Sequence, residues 1–277
     1  MAEKTENTAI VSDGERKEDE GGVMSFGEHL DALRKVIVRI LSVTLVAAIG
    51  AFCLKEQVFK IIMAPLKPDF ITFQWVRDIL ESMGTTLSVT DTPTVIATEI
   101  TSQFMVHITM SIYAGILIAS PYIFQSLLGY VLPALYENEK KYAVKICVAV
   151  YALFVLGLLL CYFVMFPVSC RFLANYSVSP EVTTMIDITS YLSLFTSLSL
   201  LLGAVFQLPV IAFFLARTGL INASMMRKYR KHAIVAIAIV AAIITPPDLM
   251  SQILVGLPLL LLYEISIMVA AKIKCKA

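Results

Sequence analysis

In a chain of 277 residues, 58% hydrophobic and 16% charged, the apolar share exceeds that of ordinary soluble domains, where about half the residues are apolar and about a quarter charged. A formal net charge of +1 gives no sign of nucleic-acid binding, and five cysteines with no CxxC pair do not describe a disulfide framework. The composition is that of an all-α polytopic membrane protein, each span of which needs about 20 mostly apolar residues.

Residues 1–23 mix acids and bases densely and lack an apolar h-region, so they read as a disordered cytoplasmic tail and not as a signal peptide. Residues 24–277 then form a membrane domain with six candidate spans near 36–54, 100–132, 142–166, 190–216, 232–245 and 249–269. Ser25 and Glu28 make a capping-box pattern, and Phe26, Leu30, Leu33 and Ile37 follow on one helical face. This predicts a short amphipathic helix on the membrane, leading into the first span. Between spans one and two, Trp75, Val76, Ile79, Leu80 and Met83 recur at helical spacing, which predicts an external helix acting as a cap.

Span two opens with Glu99, Gln103, His107 and Ser111, four residues apart and on a single face. Lipid would leave those groups unpaired, so the face looks into the bundle or a wet groove, as a packing stripe or as a ligand site. Pro121 is expected to kink this helix. The loop after it, Pro133 to Lys141, carries two carboxylates, Glu137 and Glu139. Span three is expected to end at Phe166 and Pro167. Span four carries Ser193, Thr196, Gly203 and Gln207 along a stripe suited to close packing, and the mid-span amide of Gln207 needs a partner, from this bundle or from another protein. Spans five and six are joined by Thr245, Pro246, Pro247 and Asp248, which allows only an antiparallel hairpin, and the 13 residues from His232 to Ile244 are short for a bilayer. Gln252, Tyr263 and Glu264 place polar groups inside span six; Glu264 is suited either to pairing with a basic neighbour or to a functional role.

Lys and Arg cluster before span one, between spans two and three, between four and five, and after six, so both termini and the Glu137–Glu139 loop are expected to be cytoplasmic. No Gly-rich phosphate loop, metal-ligand spacing or nucleophile–base arrangement can be assembled, so no cofactor and no enzyme chemistry are expected. On the residues alone the chain reads as a membrane-embedded receptor or scaffold with a cytoplasmic acidic site. A six-helix secondary transporter of a small solute is the alternative, disfavoured because no inverted repeat or midplane charge cluster is seen.

Several segments are similar to one family. His29 to Arg34 resemble the HLxELR signature of TatC, the large subunit of the twin-arginine protein translocase. The likeness continues through Ala64, Pro65 and Leu66; Ile96 to Glu99; Pro133 to Glu139; Tyr162, Phe163, Phe166 and Pro167; Ser190 to Ser193; Phe206 to Pro209; Thr245 to Asp248, with Ser251 and Gln252; and Tyr263, Glu264 and Ile265. The resemblance implies six helices in a cupped bundle in the bacterial inner membrane. It also implies a multimeric complex that receives folded cargo proteins through signal peptides bearing paired arginines and exports them by the proton motive force. It places the peptide site at Glu139, Tyr130 and Glu137 with Glu28, Leu30, Asp31 and Arg34, and the docking of TatA-like and TatB-like single-span subunits at Thr245, Gln252 and Gln207. Glu99, Glu264, Pro65, Pro246, Pro247 and Asp248 would serve structure. The family's Glu in HLxELR is Ala32 in this chain, and either Glu28 or Asp31 could stand in for it.

Overall fold

The computed structural model describes residues 26–82, 94–131, 143–176, 179, 185–244 and 249–272. Helix α1, Phe26–Cys53, is one rod of 28 residues. The expected break between an amphipathic helix and the first span does not occur, because no Gly or Pro interrupts the sequence between Gly27 and Gly50. Its outer face is exposed at Leu41, Leu45, Val46 and Ile49, as suits a surface meeting lipid. Its inner face packs against α4, Ser102–Val131. The approach is close at Gly115, where an added Cβ would lie 2.7 Å from the Ala48 Cα.

Within α4, Pro121 has no N–H to give the Leu117 carbonyl, and the Ser120 hydroxyl donates to that carbonyl instead, at 2.6 Å. Pro167 presents the same problem in the third span. The sequence predicts an end there, but α5, Ala143–Leu160, passes through a π-turn at Cys161–Met165 into α6, Phe166–Asn175. Pro167 falls in the first turn of α6, where a missing N–H costs little. The carbonyl it leaves without its usual donor is that of Phe163, and the Thr72 hydroxyl donates to it.

Thr72 belongs to a cap formed by α2, Lys55–Met63, a 3-10 turn at Ala64–Leu66 and α3, Ile71–Ser82. The predicted external helix is therefore present, with Trp75 exposed and Pro65 buried in the turn. Two tyrosines tie the last turn of α2 to the bundle: Tyr162 Oη donates to the Ile61 carbonyl at 2.8 Å and Tyr191 Oη to the Ile62 carbonyl at 2.7 Å. Both lie in the last turn of α2, where a helix runs out of its usual i+4 donors; the Ala64 N–H reaches the Ile61 carbonyl as well. Phe70 stacks on Phe163, and the Arg171 guanidinium lies 4.0 Å from the centre of the Phe73 ring. Beneath the cap sits the core, where the Phe166 ring meets those of Tyr191 and Phe195 edge to face, with Cys161, Leu198 and Leu202 fully buried around them.

The fourth span is two helices, α7, Ile188–Val205, and α8, Leu208–Arg217, broken at Phe206 and Gln207. Gly203 in α7 lets Phe154 of α5 lie against its backbone; a Cβ there would be 2.6 Å from that ring. A two-residue parallel ladder joins β1, Val95–Ile96, to β2, Ile186–Asp187. A short helix α9, Ala223–Lys228, leads into α10, Arg230–Ile244, and α11, Leu249–Lys272, packs against both and against α8.

Five stretches among the described residues are long and apolar enough to cross a membrane: Leu30–Cys53, Ser102–Tyr130, Ile146–Asn175, Ile188–Arg217 and Val255–Lys272. The fifth expected span, α10, has 15 residues, about 22 Å of helix against a hydrocarbon core of about 30 Å. It is as short as its sequence predicts. Thr245, Pro246, Pro247 and Asp248, which join it to α11, lie outside the described residues.

Candidate functional site

The two ends of the bundle differ in chemistry. At the basic end, Asp31, Arg34, Lys35, Val38 and Arg39 line a shallow groove of about 490 Å³ along α1. Leu30, Asp31 and Arg34 are exposed. Glu28 lies within α1, while Glu137 and Glu139 fall outside the described residues. Tyr130 is half-buried at the end of α4.

Two contacts fix the relation of α1 to α4. Ala48 meets Gly115, and the Phe52 and His107 rings stack at 3.9 Å. The two helices are therefore antiparallel. Carried along both at equal rise per residue, that register puts Leu30 and Asp31 level with Tyr130. The first turn of α1 and the last turn of α4 thus stand at one height. The fold brings together what the sequence spreads over about a hundred residues.

The opposite end holds a larger cavity of about 580 Å³ between α2, β1 and α4. Gln103, His107 and Ser111 form its polar floor, so this part of the expected stripe does face a groove; Glu99 is exposed and does not line it. His107 Nε2 lies 3.1 Å from the Phe52 carbonyl. A carbonyl only accepts, so Nε2 carries the proton and Nδ1 is the free acceptor. Ser111 donates to the His107 carbonyl at 2.7 Å.

Asp187, which the sequence reading did not single out, organises this end. Its Oδ2 accepts from the backbone N–H groups of Thr189 and Ser190 at 3.0 and 3.1 Å, capping α7, and its Oδ1 accepts from the Thr98 hydroxyl at 2.9 Å. The Ser190 N–H leads these donors in holding the carboxyl below its usual range. An acid two or three residues before the first apolar turn is the signal that could have found it.

Four further expected residues acquire partners. Gln207 Nε2 is 3.3 Å from the Val150 carbonyl of α5 and 3.4 Å from that of Gly203, while its Oε1 is buried without a partner. Gln252 Nε2 donates to the Ala238 carbonyl at 3.1 Å, inside the α10–α11 hairpin. Glu264 pairs with Arg230 at 2.6 Å, both side chains about half exposed, and Tyr263 Oη donates to the Met226 carbonyl at 2.9 Å. Of the two readings of Glu264, pairing with a basic neighbour is the one observed. Among the described residues no group of three or more His, Cys, Asp or Glu could hold a metal ion.

Comparison with known proteins agrees with this architecture. The family profile described as Sec-independent protein translocase protein (TatC) matches residues 28–258. The Sec-independent protein translocase protein TatC of Helicobacter pylori strain J99 is 36% identical over 242 residues, covering 87% of each chain. Its counterpart from Desulforapulum autotrophicum is 33% identical over 242 residues, 87% of this chain and 82% of that one. Among solved structures, two crystal structures of the twin-arginine translocase receptor TatC superpose with TM-scores of 0.69 and 0.71 at 30% identity, covering 88% of this chain and 98% and 99% of theirs. The chain belongs to the TatC family of Sec-independent protein translocase proteins.

Proposed function

We propose that this protein is the receptor for twin-arginine signal peptides and a core subunit of a translocase that exports folded proteins. The observation that carries the reading is the match to TatC receptor structures over 88% of the chain at 30% identity. The level reached by Asp31 and Tyr130 supports the same reading, because a peptide held by the loop glutamates would run alongside both. Guanidinium and carboxylate match in paired hydrogen bonds, which makes Glu139 the contact for the arginine pair, with Glu137, Asp31 or Glu28 as the second acid. Leu30 and Arg34 flank that contact on α1.

The acids supply specificity and not the bulk of the affinity. An exposed ion pair contributes about 0.2–1 kcal/mol, and micromolar binding requires about 8 kcal/mol. The remainder comes from the apolar stretch of the signal peptide, laid in the bundle's groove beside the α4 stripe. Lys and Arg placement puts both termini and the Glu139 loop in the cytoplasm of a bacterial cell, with the cap on the far side. TatA-like and TatB-like single-span subunits dock along the α10–α11 hairpin, where Thr245 and Gln252 supply polar contacts, and near Gln207. The short hairpin thins the bilayer locally. With no nucleotide motif in the chain, the proton motive force supplies about 2.3 kcal/mol per charge per 100 mV.

The test is Glu139→Ala in a strain lacking its own TatC, with export of a twin-arginine reporter as the readout. Export is expected to collapse while the protein inserts normally. Normal export would remove the acidic loop from the mechanism, and parallel changes at Glu28 and Asp31 would identify the second acid.

A further inference from the structure

Among the described residues the strand β1 has one open edge, and it borders the 580 Å³ groove. In the ladder to β2 the Ile186 N–H donates to the Thr94 carbonyl at 3.1 Å, so the backbone groups of Thr94 and Ile96 face β2. Those of Val95 and Ala97 must face the other way. Neither residue exchanges a backbone hydrogen bond with any described residue, and Ala97 is exposed. Val95, Ile96 and Ala97 all line the 580 Å³ groove. Successive side chains of a strand alternate faces, so three consecutive residues can share a cavity only if the strand's edge is turned to it. The wall opposite is apolar at Phe59, Phe104 and Met110, and the floor offers His107 Nδ1 as an acceptor.

We propose that this edge takes up an extended peptide as an added strand, and that the peptide is the uncharged, small-residue stretch following the apolar region of a bound signal peptide. The proposal rests on the receptor reading above. Strand addition uses main-chain hydrogen bonds for affinity and flanking pockets for selectivity, and the groove supplies both with no fixed charge on its floor. Lys55 and Glu56, at its mouth, are of opposite sign and favour no charged ligand. The reach agrees. From Tyr130 to His107 is about 35 Å along α4, a distance that roughly ten extended residues or about twenty helical ones cover. A signal peptide of about 15–30 residues, with a small-residue segment after its apolar region, has that length. The arginines would be held at one end of the bundle and the start of the exported chain at the other.

The test uses the full-length protein, purified in detergent, and two fluorescent twin-arginine signal peptides, one complete and one truncated just after the apolar stretch. Val95→Pro removes an N–H that makes no bond to β2, and Ala97→Pro does the same one step along the edge; both leave the β1–β2 ladder intact. Thermal unfolding of each variant is measured first. The expected result is a dissociation constant for the complete peptide raised about tenfold, the size of one or two lost hydrogen bonds, with that for the truncated peptide unchanged. In parallel, a benzophenone placed in the complete peptide two residues past its apolar stretch should label residues 95–111 of the unsubstituted protein. Equal weakening of both peptides, weakening of neither, or labelling at the basic end overturns the proposal. If neither peptide binds the unsubstituted protein, the receptor reading falls and takes this one with it; binding with equal loss removes this one alone.

Discussion

Replacing Gly115 with Ala tests whether the packing of α1 on α4 sets the candidate binding site. The new Cβ would stand 2.7 Å from the Cα, N and Cβ of Ala48, whereas ordinary contact begins at 3.4 Å. Two of those atoms are backbone, so the helices themselves must separate, by about 0.7 Å if α1 moves as a parallel body. If α1 instead pivots on the Phe52–His107 stack, about 6 Å along the helix, Asp31 lies about five times farther from the pivot and shifts by about 3.5 Å. Either motion is large against the width of a hydrogen bond's distance range, about 0.5 Å. Overpacking of this kind costs about 1–3 kcal/mol. Thermal unfolding of the purified protein should show a lowered midpoint, and binding of a twin-arginine peptide should weaken about tenfold. Gly50→Ala is the matched control on the same helix, because a Cβ there meets nothing within 4 Å. Equal unfolding and equal peptide affinity for Gly115→Ala and Gly50→Ala would refute the reasoning.

Two other perturbations act at the cap. Tyr191→Phe keeps the buried ring but strips the Ile62 carbonyl of its donor, which should destabilise the protein by about 1–3 kcal/mol in denaturant or thermal unfolding. Asp187 has its carboxyl held below the usual range, first by the Ser190 N–H and then by Thr98 and Thr189. Its contribution is therefore complete above the unfolded carboxyl range, near pH 4, and is lost as pH falls through the lower folded value. The unfolding midpoint of the native protein should drop over that window, and Asp187→Asn should flatten the drop.

What the sequence discloses is what depends on neighbours along the chain. Apolar runs located α4, α7–α8 and α11 to within a few residues, α1 begins about ten residues before its expected span, and the helical spacing around Trp75 announced the cap. Pro167 misled because a proline reads as a stop, while the Thr72 hydroxyl that relieves it at Phe163 comes from a segment more than ninety residues earlier. The shortness of α10 was legible from its residue count alone. Partners that are main-chain carbonyls leave no mark in a sequence, so the placement of Gln207 against Val150 and of Gln252 against Ala238 could not be read. The link from Thr98 to Asp187 was hidden for the same reason of distance, though each residue lies in or beside a segment that resembles the family. The two acids of the 133–141 loop stand out in the sequence but lie outside the described residues, and the register that brings Asp31 level with Tyr130 rests on the contact between Ala48 and Gly115, which no local pattern announces.

The central claim is that this protein reads a pair of arginines. It is tested most directly by the dissociation constants of the purified protein for one signal peptide carrying Arg-Arg and for the same peptide carrying Lys-Lys. Planar guanidinium forks on carboxylates predict that the Lys-Lys peptide binds about tenfold more weakly, with the difference abolished by Glu139→Ala. Equal affinity for the two peptides in the unsubstituted protein would contradict the account.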